Sequence, residues 1–136
     1  MMPNPIELRK FAESYTAAWS SRDAARVATH FSPDGVLTVN DGVPSCGRRA
    51  ITEAARGFMT TFPDLQVAMD DLLIEADGAE YHWTLSGTAT GPGGTGNRVR
   101  ISGFEEWNIG KDGLIEESRG WFDADEYQRQ LAQGTA

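Results

Sequence analysis

The chain has 136 residues, enough for one compact domain and too few for two. Apolar residues make up 40% of it and the net charge is −8, so a core can form, while the clustered cations that nucleic acid or an anionic membrane surface would need are lacking. The single cysteine, Cys46, excludes an intrachain disulfide and reads as a small space-filling residue.

No secretory leader is visible in MMPNPIELRKF, and no apolar run approaches the ~18 residues of a membrane span. The chain therefore reads as a soluble, cytoplasmic protein with one domain over residues 1–136. Asn4 as N-cap, Pro5 at the first helical position and Glu7 at the capping-box position predict a first helix. Ile6, Phe11, Tyr15, Ala18 and Trp19 form its apolar set. Asp23 caps a short second helix with Val27, Ala28 and Phe31 on one face. Ser32-Pro33-Asp34-Gly35 reads as a turn, and Val36 to Asn40 as a short strand. A third helix follows Gly47, with Ile51, Ala55, Phe58, Met59 and Phe62 on its apolar side, and Pro63 stops it.

From there the pattern is strand and turn. Leu65 to Ala76 is one strand bent near Asp70-Asp71, and Asp77-Gly78 is a hairpin signal. Ala79 to Thr90 follows, then GPGGTGN as a flexible loop. Val99 to Ile109 pairs back, Lys111-Asp112-Gly113 turns, and Leu114 to Phe122 is the last strand. Asp123 caps a final helix through Leu131, and Gln133 to Ala136 reads as a frayed tail. The order predicts an α+β fold: a curved antiparallel sheet with helices over its concave face.

Alternation puts Tyr81, Trp83, Leu85 and Gly87 on one face of their strand and Glu80, His82, Thr84, Ser86 and Thr88 on the other. In the next strand Val99, Ile101, Gly103, Glu105 and Trp107 share the core face. A carboxylate there is costly to bury unpaired. Two readings follow. Glu105 lines an apolar pocket, its pKa raised by desolvation, with the Tyr15 hydroxyl beside it; or it pairs with Arg100 or Arg119 near a sheet edge.

The rings of Trp19, Phe31, Phe58, Phe62, Trp83 and Trp107 either surround that pocket or fill the core, and His30 lines its mouth or caps the second helix. His82 falls on the polar face, at the surface or an interface. The two histidines have no metal-ligand spacing, and no metal site or cofactor motif appears.

The segments SYTAAWSSRDAARVATHFSPDGV, CGRRAI, FMTTFPDL, YHWTLSGTATG and DGLIEESRGWFD resemble the nuclear transport factor 2-like superfamily, and within it the SnoaL-like polyketide cyclases. That resemblance implies a cone-shaped fold, a homodimer and a pocket for a small apolar, carbonyl-bearing molecule. In the similar ketosteroid isomerases a tyrosine and a protonated aspartate hold an oxyanion, and Tyr15 and Glu105 stand where those groups would be. The isomerase base would fall near Thr38 or Val39, where no carboxylate stands. In the cyclases a histidine matches Glu105, and the aspartate of an Arg-Asp-Trp context is replaced by Gly120. The resemblance thus implies a cofactor-free cyclase- or isomerase-type enzyme using Tyr15 and Glu105, or a binding module with the same pocket, or a dimeric interaction protein with a vestigial one.

Overall fold

The computed structural model describes residues 3–135. Helix α1 (Pro5–Ser20) begins on the expected capping box: the Glu7 amide donates to the Asn4 side chain (2.8 Å) and the Asn4 amide to the Glu7 carboxylate (3.2 Å). Two of the amides that a helix start leaves unpaired are thereby satisfied. The buried stripe is Leu8, Ala12, Tyr15, Ala18 and Trp19. Ile6, expected on it, is 71% exposed. Nine residues separate Ile6 from Tyr15, which is two and a half turns, so they face opposite ways.

Helix α2 (Ala24–Ala28) is capped by Asp23, whose carboxylate accepts from the Arg26 amide. Strand β1 (Phe31–Val39) starts earlier than the sequence suggests. Phe31 belongs to it, and the Ser32–Gly35 turn signal is absorbed as a bulge between the pairs Phe31↔Ile115 and Val36↔Glu117. Asn40 and Asp41, both at positive φ, then turn the chain. A two-residue strand β2 (Ser45–Cys46), absent from the sequence reading, pairs with β1, and Cys46 is exposed there rather than filling the core. Helix α3 (Gly47–Thr61) buries Ile51, Ala55 and Met59 and ends before Pro63.

Strands β3 (Gln66–Ile74), β4 (Gly78–Thr88), β5 (Arg98–Ile109) and β6 (Ile115–Phe122) follow as a meander. The expected bend near Asp70 is a register shift between Met69 and Asp71. Gly78 is required at the hairpin, because a Cβ there would sit 1.7 Å from the Trp107 carbonyl oxygen. Helix α4 (Ala124–Gln133), capped by Asp123, runs two residues past the expected end. Of the expected frayed tail, Gln133 is helical and Ala136 lies outside the described residues.

The Gly-rich loop is tied down rather than loose. The Gly91 amide donates to the Thr61 carbonyl, the Gly96 amide to that of Ala89, and the Thr95 hydroxyl and Asn97 amide group both to that of Leu131.

The six strands form one curved sheet in the order β2-β1-β6-β5-β4-β3. All neighbours are antiparallel except β1 and β6, which run parallel. The α+β architecture thus stands, with one parallel pair inside it. On the inner face Tyr81 pairs with Glu105, Ala79 with Trp107 and Leu85 with Ile101, and the helices bury this side. The outer face carries a ring row: His82 stacks on Phe104 at 5.5 Å between centroids, and Phe104 lies 5.3 Å from Trp121. His82 also bonds Glu80 at 2.8 Å, as its outward alternation implies. No helix among the described residues is long and apolar enough to cross a membrane.

Candidate functional site

Glu105 sits on the inner face of β5 and is only 8% exposed. Three elements aim donors at one of its oxygens. The Ser118 hydroxyl of β6 donates to Oε1 at 2.6 Å. The Trp107 indole N–H, two residues along β5, donates to Oε1 at 3.0 Å. The Tyr15 hydroxyl of α1 donates to Oε1 at 3.0 Å and leans on Oε2 at 3.3 Å. Ser118 and Tyr15 are fully buried and Trp107 nearly so.

Oε1 is therefore saturated, while Oε2 has only the longer arm of a hydroxyl already committed. Burial pushes the Glu105 carboxyl up from its ordinary range, and the bonds from Ser118, Trp107 and Tyr15 pull it part of the way back. Burial, then the nearby Glu105 charge, raises the Tyr15 phenol well above its usual value, so it stays a donor. The alternative ion pair does not form: Arg119 approaches Glu106 at 3.9 Å, and Glu105 has no cationic partner among the described residues.

Glu105 also lies on the wall of a pocket between helices and sheet, lined among others by Trp19, Val39, Phe58, Tyr81, Trp83, Gly120, Phe122 and Tyr127. The space amounts to about 710 Å³ counting the part open to solvent, of which about 70 Å³ admits the centre of a water molecule. The smaller, enclosed figure exceeds the ~10–15 Å³ one water requires and falls short of the roughly 300–1,000 Å³ usual for small-molecule sites.

Tyr81 donates to the Thr16 hydroxyl at 2.6 Å, since Thr16 itself donates to the Ala12 carbonyl. Trp83 differs: its indole N–H is buried and has no acceptor among the described residues. An unmet buried donor is costly, by about 1–3 kcal/mol.

Of the residues singled out from sequence, Glu105, Trp19, Phe58 and Trp83 line this pocket. Tyr15, His30, Phe31, Phe62 and Trp107 do not; they form the layer behind it. Tyr15 stands behind Glu105 with its hydroxyl committed to the carboxylate. Trp107 stacks on Tyr81 at 4.8 Å and holds Glu105. Phe31 packs on Tyr15, and Phe62 on Tyr127.

His30 uses both ring nitrogens: Nδ1–H donates to the Arg26 carbonyl at 2.9 Å, so Nε2 accepts from the Ser14 hydroxyl at 2.9 Å. Burial lowers its pKa, which keeps it neutral. The helix-capping reading of His30 fits this geometry, and the cavity-mouth reading does not. Ser118, Gly120 and Tyr127 were missed as site residues. Glu117, Arg119 and Trp121 share the outer face of β6, so the same alternation assigns Ser118, Gly120 and Phe122 inward. Among the described residues no cluster of His, Cys, Asp and Glu could hold a metal ion.

The model of the SnoaL-like polyketide cyclases matches residues 9–131. The chain belongs to this family. Solved structures of similar fold include AclR, a candidate hydroxylase from Streptomyces galilaeus, at 26% identity and TM-score 0.79, covering 96% of this chain and 98% of that one. TsrD from Streptomyces laurentii is 23% identical with TM-score 0.81, over 95% and 97% of the two chains. A Catenulispora acidiphila protein of ketosteroid isomerase-like fold, in complex with trimethylamine, is 14% identical with TM-score 0.80, over 97% and 95%. Among proteins with curated descriptions none matches. Among the described residues lining the pocket, Glu105 is the one carboxyl, with glycine opposite it at position 120.

Proposed function

We propose that this SnoaL-like domain binds a small apolar, carbonyl-bearing molecule, a polyketide-like compound or cyclic ketone, and moves a proton on it without a cofactor. One observation carries the reading: a buried carboxyl with one oxygen fixed by three donors and the other held only by a long 3.3 Å contact from Tyr15, on the wall of an apolar pocket.

The protonated carboxyl would donate from Oε2 to the carbonyl oxygen, and the ionised one would take an α-proton and return it elsewhere, as a cyclase or isomerase requires. Tyr15 acts through Glu105 as a positioning residue, because its hydroxyl is spent on the carboxylate. Family membership and the likeness to AclR support an enzyme.

The test is α-proton exchange in D2O, followed by NMR on a panel of cyclic ketones. Glu105→Gln is expected to slow exchange by about 10²-fold or more, the scale of losing one key polar group. Exchange at the buffer rate for every ketone that binds would end this reading.

A second reading has its own support. Glu105 is the one carboxyl among the described residues lining the pocket, and no histidine lines it, so no partner base stands by. The site would then be a binding module, with Glu105 as a specificity contact: ketones would bind, none would exchange, and Glu105→Gln would lower affinity instead. In either case we place the protein in the cytoplasm as a homodimer, with a second copy covering the His82–Phe104–Trp121 row.

A further inference from the structure

A glycine in mid-strand has three physical reasons to be there: a positive φ, a backbone too close for a Cβ, or space needed beyond it. Gly120 lies in β6 directly opposite Glu105. Its φ is not positive, unlike that of Gly47, Gly93, Gly96, Gly113 and Gly134. No backbone crowds it either. A Cβ at 120 would meet the Glu105 Cγ at 3.4 Å, then the Phe104 and Thr38 carbonyl oxygens at 3.7 and 3.9 Å, all ordinary contacts. At Gly103 on the neighbouring strand the same atom would sit 2.3 Å from the Trp121 carbonyl oxygen. Only the third reason remains. Glycine weakens a strand through its backbone entropy, so position 120 sacrifices local stability and yields room inside the pocket that it lines.

We infer that Gly120 is a specificity-determining residue, whose missing side chain forms the subsite in which a ligand's oxygen meets the Glu105 carboxyl. Opposed residues on paired antiparallel strands hold their Cβ positions about 4.5–5.5 Å apart, so whatever occupies the room over Gly120 lies against the Glu105 side chain. The room is that of a small side chain, which suits a ketone or ether oxygen with its carbon and excludes a branched or phosphorylated headgroup. The apolar remainder of the ligand falls to the rings of Trp19, Phe58, Phe122 and Tyr127. Trp83, whose buried N–H has no acceptor among the described residues, lines the same pocket. This inference rests on the proposed ketone-binding role for the identity of the ligand, and on geometry alone for the role of Gly120.

The experiment compares Gly120→Ala and Gly120→Val with the native chain in three measurements: melting temperature, titration of the Glu105 carboxyl by ¹³C NMR, and binding of 2-tetralone by chemical-shift perturbation. Gly120→Ala is expected to melt at the same temperature or higher, since the Cβ fits and the unfolded chain loses entropy. Its carboxyl should titrate higher, because the methyl group packs against the Glu105 side chain and adds to its burial. Its affinity for 2-tetralone should fall by about tenfold or more, the effect of one surplus methyl group in a filled site, and Gly120→Val should abolish binding.

Gly120→Ala melting several degrees lower with an unmoved carboxyl would overturn the inference in favour of a structural glycine. So would binding within twofold of native. If the native chain binds no ketone of the panel, the proposed function fails on its own. The carboxyl titration then judges Gly120: a rise in both variants upholds the subsite, and no movement overturns it.

Discussion

Ser118→Ala isolates the shortest bond to the Glu105 carboxyl. Ser118 is fully buried, and its hydroxyl lies 2.6 Å from Oε1. The substitution removes one oxygen atom and leaves the rest of the side chain, so the cavity term is small. What is lost is a hydrogen bond whose strength follows the charge of its acceptor: about 1.5–3 kcal/mol to an ionised carboxylate and about 0.5–1.5 kcal/mol to a neutral carboxyl. The cost must therefore depend on pH.

The folded Glu105 carboxyl lies above its unfolded range, so its protonated form favours the fold. That contribution is complete below the unfolded pKa and is lost as pH rises through the folded one. Losing the Ser118 bond raises the folded carboxyl further, so the same loss extends to higher pH. Urea unfolding on either side of the folded carboxyl's titration, located by ¹³C NMR, should then show Ser118→Ala costing roughly 1 kcal/mol more on the high-pH side. In a Glu105→Gln background the cost should be equal at both, which makes a double-mutant cycle the control. Equal costs at both pH values with Glu105 present would refute the reasoning, because they would mean that the hydroxyl does not feel the carboxyl's titration.

Glu105→Gln alone should fold and should gain on the native chain as pH rises through the folded carboxyl's range; urea midpoints across that range check it. Trp83→Phe deletes a buried N–H without an acceptor and keeps the ring, so urea unfolding should show stability unchanged or higher by up to about 1 kcal/mol. A loss of that size would mean that the N–H is satisfied. Tyr15→Phe should lower the ketone exchange rate yet leave affinity within about tenfold, since Tyr15 stands outside the lining. Phe104→Glu, in the outer ring row, should convert a dimer sedimenting at twice the 14.8 kDa chain mass to a monomer. A native chain already monomeric at micromolar concentration would dismiss the dimer.

Local signals carried most of the architecture. Asn4, Asp23 and Asp123 each cap the helix their side chains announce. Period-two alternation placed Tyr81, Glu105 and Trp107 on one face, and it would have placed Ser118 and Gly120 there too. What stayed hidden was non-local. Nothing near Ser32–Gly35 announces that a parallel neighbour will absorb a turn signal as a bulge. Aromatic residues read alike from sequence whether they line a pocket or back it: Phe58 and Phe62 lie on one helix end, and the first reaches the pocket while the second packs under Tyr127. Tyr15 was legible as the partner of Glu105, but the direction of its hydroxyl depends on a contact 90 residues away.

The parallel seam between β1 and β6 has a kinetic consequence. Val36 finds its partner Glu117 about 80 residues later, so the sheet cannot close until nearly the whole chain is present. Closing so long a loop is entropically slow, and contacts of this separation set the pace of folding. During synthesis the β3–β4 hairpin can form as it emerges, while β1 waits with one edge unpaired. The same delay governs the carboxyl site, whose donors come from α1, β5 and β6. A nascent chain therefore acquires its pocket last, in the same event that seals its open sheet edge.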